Sequence, residues 1–174
     1  MKIGVKPYPS CRYTHAALDG LLALLAEHDR SAGDVMGLDI GLHRNGITLT
    51  ADPPAAKRRP RSVVDGQFSM YFTAAVALDQ RSFGWDDYAR LGDPAIDALC
   101  DRITVVEDQT VGTNRPHPFG ARVRLTTRAA TLERVVPDPS GEPDSFPTPN
   151  TGLAKFLALA EPVNGARACY IPVG

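Results

Sequence analysis

From Lys6 to His15 the chain reads Lys-Pro-Tyr-Pro-Ser-Cys-Arg-Tyr-Thr-His, so an ammonium, a thiol and an imidazole fall within one short stretch. A lysine ammonium can neutralise an anion and, when burial lowers its pKa, pass a proton. A histidine moves protons near neutral pH, and a cysteine at a helix N-terminus is acidified by the helix dipole. Each proline pushes the residue before it out of the helical region, so Lys6 and Tyr8 are expected to be extended and a helix starts only after Pro9. The stretch predicts a strand, a rigid corner and a helix. If that helix includes Cys11, Cys11 and His15 share a face, and Lys6 projects from the end of the incoming strand. Plainer readings stand beside these: a solvated lysine, a histidine that packs or caps a first turn, and a buried structural cysteine.

The elements that must hold these groups follow from periodicity. Leu18, Leu21, Leu22 and Leu25 have helical spacing, with Thr14 as N-cap and an end near His28 to Arg30. Met36, Leu38, Ile40 and Leu42 alternate with Gly37, Asp39, Gly41 and His43, which predicts a strand buried on one face, and residues 46–50 are expected to continue it or pair with it. Residues 51–64, with three prolines and the cations Lys57, Arg58, Arg59 and Arg61, predict a solvated loop. Residues 68–78 are almost wholly apolar and predict a buried helix capped by Asp65. Asp93-Pro94 opens a further short helix with Ile96, Leu99 and Cys100 inward. A strand over 103–106, an irregular loop over 112–120, a hairpin through 122–127 and 132–136, an extended proline-rich crossing over 137–149 and a last amphipathic helix containing Leu153, Phe156, Leu157 and Ala160 complete the chain. The order predicts an α+β fold, an antiparallel or mixed sheet with helices packed on it.

Composition narrows the partners. The chain has 174 residues, 43% hydrophobic and 22% charged, which suits one globular domain. A formal net charge of -1 gives no electrostatic case for nucleic acid or an anionic membrane. Cys11, Cys100 and Cys169 are odd in number and widely spaced, so neither a disulfide framework nor a thiolate zinc site is expected, and a cytoplasmic setting fits. No apolar run approaches the ~20 residues of a membrane span.

The stretch from Lys6 to His15, taken with Asp65-Gly66-Gln67-Phe68-Ser69-Met70 and the late Lys155-Phe156 helix, resembles the MmgE/PrpD family of 2-methylcitrate dehydratase-like enzymes. There a strand ends in a K-x-Y-P-x-C-x-x-T-H-like motif, and a later helix opens on a D-A-Q-F-S-like one. The resemblance covers residues 5–160 and implies the C-terminal, or lid, domain only, with an irregular tail over 161–174. Where the family commonly has proline before an aromatic, this chain has Tyr71-Phe72. The resemblance implies a cofactor-independent lyase of propionate catabolism, a hydro-lyase acting on a small polycarboxylate, with a site completed by a helical domain in cis or in trans, and a homodimer. The isolated chain would then be almost inactive. Carried over by position, Lys6 and His15 are the catalytic candidates, and Tyr8, Ser10, Cys11, Gln67 and Ser69 line the substrate, with no metal or cofactor implied. Ser69 and Gln67 have a second reading as helix caps. The competing function is a non-catalytic remnant or interaction module of the same fold. A lid domain of this kind is also expected to show an apolar patch around Tyr8, Phe68 and Tyr71.

Overall fold

The computed structural model describes residues 3–112 and 118–164. The chain divides into two compact units, one of residues 8–139 and the other of residues 1–7 together with 140–174.

In the larger unit the helix that follows the proline corner forms in two steps. Arg12–Thr14 make a single 3-10 turn, and α1 (His15–His28) continues from it until Asp29, whose left-handed φ of 45° ends the helix. Leu18, Leu21 and Leu25 are fully buried, as their spacing requires, each adding roughly 1.5–3 kcal/mol of apolar burial. Cys11 is extended and precedes the helix, so it does not share a helical face with His15. Thr14 stands at the N-cap position without capping through its side chain, because its hydroxyl turns back to the Cys11 carbonyl at 2.8 Å.

Four strands, β1 (Val35–Leu42), β2 (Ile103–Glu107), β3 (Ala121–Thr127) and β4 (Thr131–Val136), form one mixed sheet in the order β2-β1-β3-β4. β1 and β2 run parallel and the other neighbours antiparallel, which makes the fold α+β as expected. Leu38, Ile40 and Leu42 face the core, but Met36 is exposed and Val35 is buried. The register shifts between Val35 and Gly37, and such a bulge moves the inward side by one residue. The expected strand before the corner is not a member of this sheet.

A parallel pair needs a crossover, and the chain between β1 and β2 supplies it with five helices. Residues 46–50 belong to the first of these, α2 (Arg44–Thr50), and not to a strand. The His43 ring caps it by accepting from the Asn45 amide at 3.2 Å, and the hydroxyls of Thr48 and Thr50 bond back one turn, so local hydrogen bonding overrides the β preference of Ile47 and the threonines. The expected loop over 51–64 contains α3 (Pro54–Arg58) and the start of α4 (Val63–Gln67). α5 (Met70–Gln80) is buried along Met70–Leu78 and lies against α1 and β2. It also packs on α6 (Pro94–Cys100), which opens at Asp93-Pro94 as its sequence dictates.

In the smaller unit the Val5 amide donates to the Gly141 carbonyl at 2.8 Å. Gly141 has φ +83°, and a Cβ there would lie 1.9 Å from the Val5 carbonyl oxygen, so only glycine fits. The proline-rich crossing includes a 3-10 turn at Pro143–Ser145 and leads into α7 (Pro149–Asn164). α7 passes the expected start of an irregular tail at 161, with Pro162 inside it; residues 165–174, including Cys169, lie outside the described residues, as do 113–117 of the loop before β3. No helix of the described residues is long and apolar enough to cross a membrane.

Candidate functional site

The corner from Tyr8 to His15 is held by bonds from distant parts of the larger unit. The Tyr88 hydroxyl donates to the Pro9 carbonyl at 2.7 Å, and the Cys11 amide donates to the Gln67 carbonyl at 2.8 Å. The two motifs that sequence alone singled out are therefore in direct contact, through Cys11 and Gln67. Ser10 Oγ and Thr14 Oγ1 share a hydrogen bond of 2.8 Å inside the protein, and Cys11 is buried beside them.

His15 is fully buried. Its Nε2 lies 3.3 Å from the Ser10 carbonyl oxygen and its Nδ1 lies 3.2 Å from Arg12 Nη1. A carbonyl only accepts and a guanidinium only donates, so Nε2 carries the proton and Nδ1 accepts. The imidazole is thus neutral, and its lone pair is directed at Arg12. The Tyr8 ring meets it edge-on at 5.3 Å, while the Tyr8 hydroxyl donates to Asp19 Oδ1 at 2.7 Å. Burial first, and the Asp19 carboxylate second, push the Tyr8 phenol well above its ordinary pKa. In this arrangement His15 positions Arg12, and Tyr8 braces His15.

Around the second motif, Ser69 caps α5 by accepting from the Phe72 amide at 2.9 Å, and it donates to the Lys57 carbonyl at 2.5 Å. Asp65 is not the cap of this helix. It belongs to α4, where it accepts from the Ser62 hydroxyl at 2.8 Å. Lys57 Nζ donates to the carbonyls of Leu49 and Phe68 at 2.8 and 2.9 Å, which ties α2 and the 65–69 turn together. Arg58 bonds to the carbonyls of Cys100 and Ile103 and lies 4.4 Å over the Tyr71 ring; Arg59 reaches both Asp97 and Asp101. This is a clasp, not the solvated run that composition suggests. It also covers Tyr71, so Tyr71, Tyr8 and Phe68 do not form one exposed apolar patch: Tyr71 is buried, Tyr8 is partly buried, and only Phe68 is exposed, at 38%.

Lys6 belongs to the smaller unit, where it is exposed and its carbonyl accepts from Lys155 Nζ. Arg12 and Lys57 are the site groups that sequence reasoning passed over. Arg12 had one signal, its i,i+3 spacing from His15. Lys57 had none, because its partners lie 8 and 11 residues away in carbonyls rather than charges.

A partly buried carboxylate sits at the end of β1. Asp108 Oδ1 accepts from the Thr110 hydroxyl and amide, and Oδ2 accepts from Arg122 Nε at 2.6 Å. It lies over Gly41, where a Cβ would come within 2.8 Å of the carboxylate. The Thr110 hydroxyl foremost, then Arg122, hold the carboxyl down at about 2. Among the described residues no group of three or more His, Cys, Asp or Glu is placed to hold a metal ion.

An α+β unit with a four-stranded mixed sheet, whose proline corner is bonded to a D-x-Q-F-S turn, defines the class. The MmgE/PrpD C-terminal domain family matches the chain over residues 8–169, and the chain belongs to that family. No curated protein matches it.

Proposed function

We propose that this chain is the C-terminal domain of a cofactor-independent lyase acting on a small polycarboxylate, with 2-methylcitrate the first substrate to test. The observation that carries this reading is the family match over residues 8–169, joined to the contact between its two motifs at Cys11 and Gln67. In the working assembly Lys6 supplies the charge for a substrate carboxylate, and a helical domain, in cis or in trans, supplies the principal acid and base. We place this assembly in the cytoplasm as a homodimer. His15 serves by fixing the Arg12 guanidinium, whose fork suits a carboxylate. Supplying a helical domain of the family and following loss of water from 2-methylcitrate tests the reading. Turnover that needs both parts supports it, and turnover no greater than that of the helical part alone overturns it.

One observation favours a second reading, a non-catalytic module of the same fold. Of the residues assigned to substrate contact, Tyr8, Ser10 and Ser69 have their hydroxyls engaged inside the protein, and Cys11 is buried. For this module the same complementation gives no turnover with any polycarboxylate.

A further inference from the structure

The run from Lys57 to Arg61 contains a cation that the clasp does not use. Lys57, Arg58 and Arg59 are tied to carbonyls or to Asp97 and Asp101, whereas the Arg61 guanidinium has no hydrogen-bond or ion-pair partner among the described residues. Arg61 borders a concavity of about 400 Å³. Ala55, Ala56 and Pro60 give its apolar lining, and Lys57, Arg61 and Arg59, the last already paired with Asp97 and Asp101, complete it with one acid, Asp65. That acid is already satisfied by Ser62, and the Lys57 ammonium has three N–H groups, of which two are used.

We propose that this concavity binds a small anion carrying at least two charged oxygens, a di- or tricarboxylate or a phosphate, gripped by Arg61 with the remaining N–H of Lys57 beside it. The volume lies within the range of small-molecule sites, and a guanidinium fork matches two oxygens of one anionic group. Lys57 is held in place by two carbonyls, so its ammonium is positioned before the anion arrives, whereas the exposed Arg61 side chain is ordered by binding. The concavity shares Lys57 and Asp65 with the turn to which the Cys11 corner is bonded, and it stands whether or not the lyase reading holds.

The test is a titration of isotope-labelled chain with citrate and, in a second arm, with inorganic phosphate, followed by amide resonances. Saturable shifts at Ala55, Ala56, Arg61 and Asp65 are expected. Arg61→Gln is expected to weaken binding roughly tenfold or more, the loss of one charge-assisted contact. Arg128→Gln, which removes the same charge at the exposed turn between β3 and β4, is expected to change it less than about twofold, as a screened distant charge should. Saturation by citrate alone assigns a carboxylate ligand, saturation by phosphate alone a phosphate ligand, and either supports the site. Shifts that stay linear with concentration, shifts centred elsewhere, or equal losses in the two variants overturn it.

Discussion

Replacing His15 by alanine tests whether this histidine is structural scaffolding for Arg12 or an idle packed ring. The imidazole is fully buried, so its removal leaves a cavity, strips the Ser10 carbonyl and Arg12 of a partner, and takes away the edge-on contact of Tyr8. The two hydrogen bonds are worth about 0.5–1.5 kcal/mol each. The ring contact adds about 0.5–1.5 kcal/mol. With partial relaxation of the cavity the loss comes to about 3 kcal/mol, a large part of the 5–15 kcal/mol typical of a domain. With a urea dependence near 2 kcal/mol per molar, the unfolding midpoint falls by about 1.5 M. His15→Gln retains one donor and one acceptor on a planar group and is expected to recover about half of that loss. Equilibrium urea unfolding followed by circular dichroism reads both variants. A shift under about 0.5 M for His15→Ala, or a glutamine variant no better than alanine, refutes the assigned bonds.

Other outcomes follow from particular contacts. Ser69→Ala removes the α5 cap and the bond to Lys57, and is expected to cost about 1–2 kcal/mol in the same unfolding assay; a loss below about 0.5 kcal/mol contradicts that role. The Asp108 side chain is only 10% exposed and titrates at about 2, against about 3.9 for an unfolded aspartate. Its folded pKa is depressed, so its stabilisation of about 2 kcal/mol is complete above pH 5 and is lost as pH falls from about 4 to 2. Asp108→Asn should flatten that part of the stability profile, and an unchanged slope counts against the assignment. Gly141→Ala forces a side chain onto the Val5 carbonyl, and should raise amide exchange at Val5 while the strands of the larger unit keep their protection; unchanged exchange at Val5 refutes the strain.

The parts of the fold that could be read in the sequence are those set by local pattern. The spacing of Leu18, Leu21 and Leu25 in α1, the Asp93-Pro94 start of α6 and the alternation in β3 each reflect a pattern set within one element. Met36 broke the pattern because a bulge depends on the partner strand, and residues 46–50 broke it because a histidine side chain caps a helix of β-branched residues. The two motifs were legible in the sequence, but the bonds that join and hold them were not. Tyr88 reaches Pro9 across 79 positions and Arg58 reaches Ile103 across 45, and no local spacing announces such bonds. Ser10 and Ser69 read as ligand contacts in sequence, but in the fold their hydroxyls serve as internal braces, Ser10 with Thr14 and Ser69 with Phe72 and Lys57.

In the proposed function the Lys6 ammonium meets a substrate carboxylate. The most direct measurement is kcat/KM for 2-methylcitrate with the helical domain supplied, comparing Lys6→Ala with the unaltered chain. A fall of about a hundredfold, the scale of one lost charge-assisted bond or proton-transfer group, with an unchanged unfolding midpoint, is the result expected. Equal kcat/KM for the two chains would contradict the account.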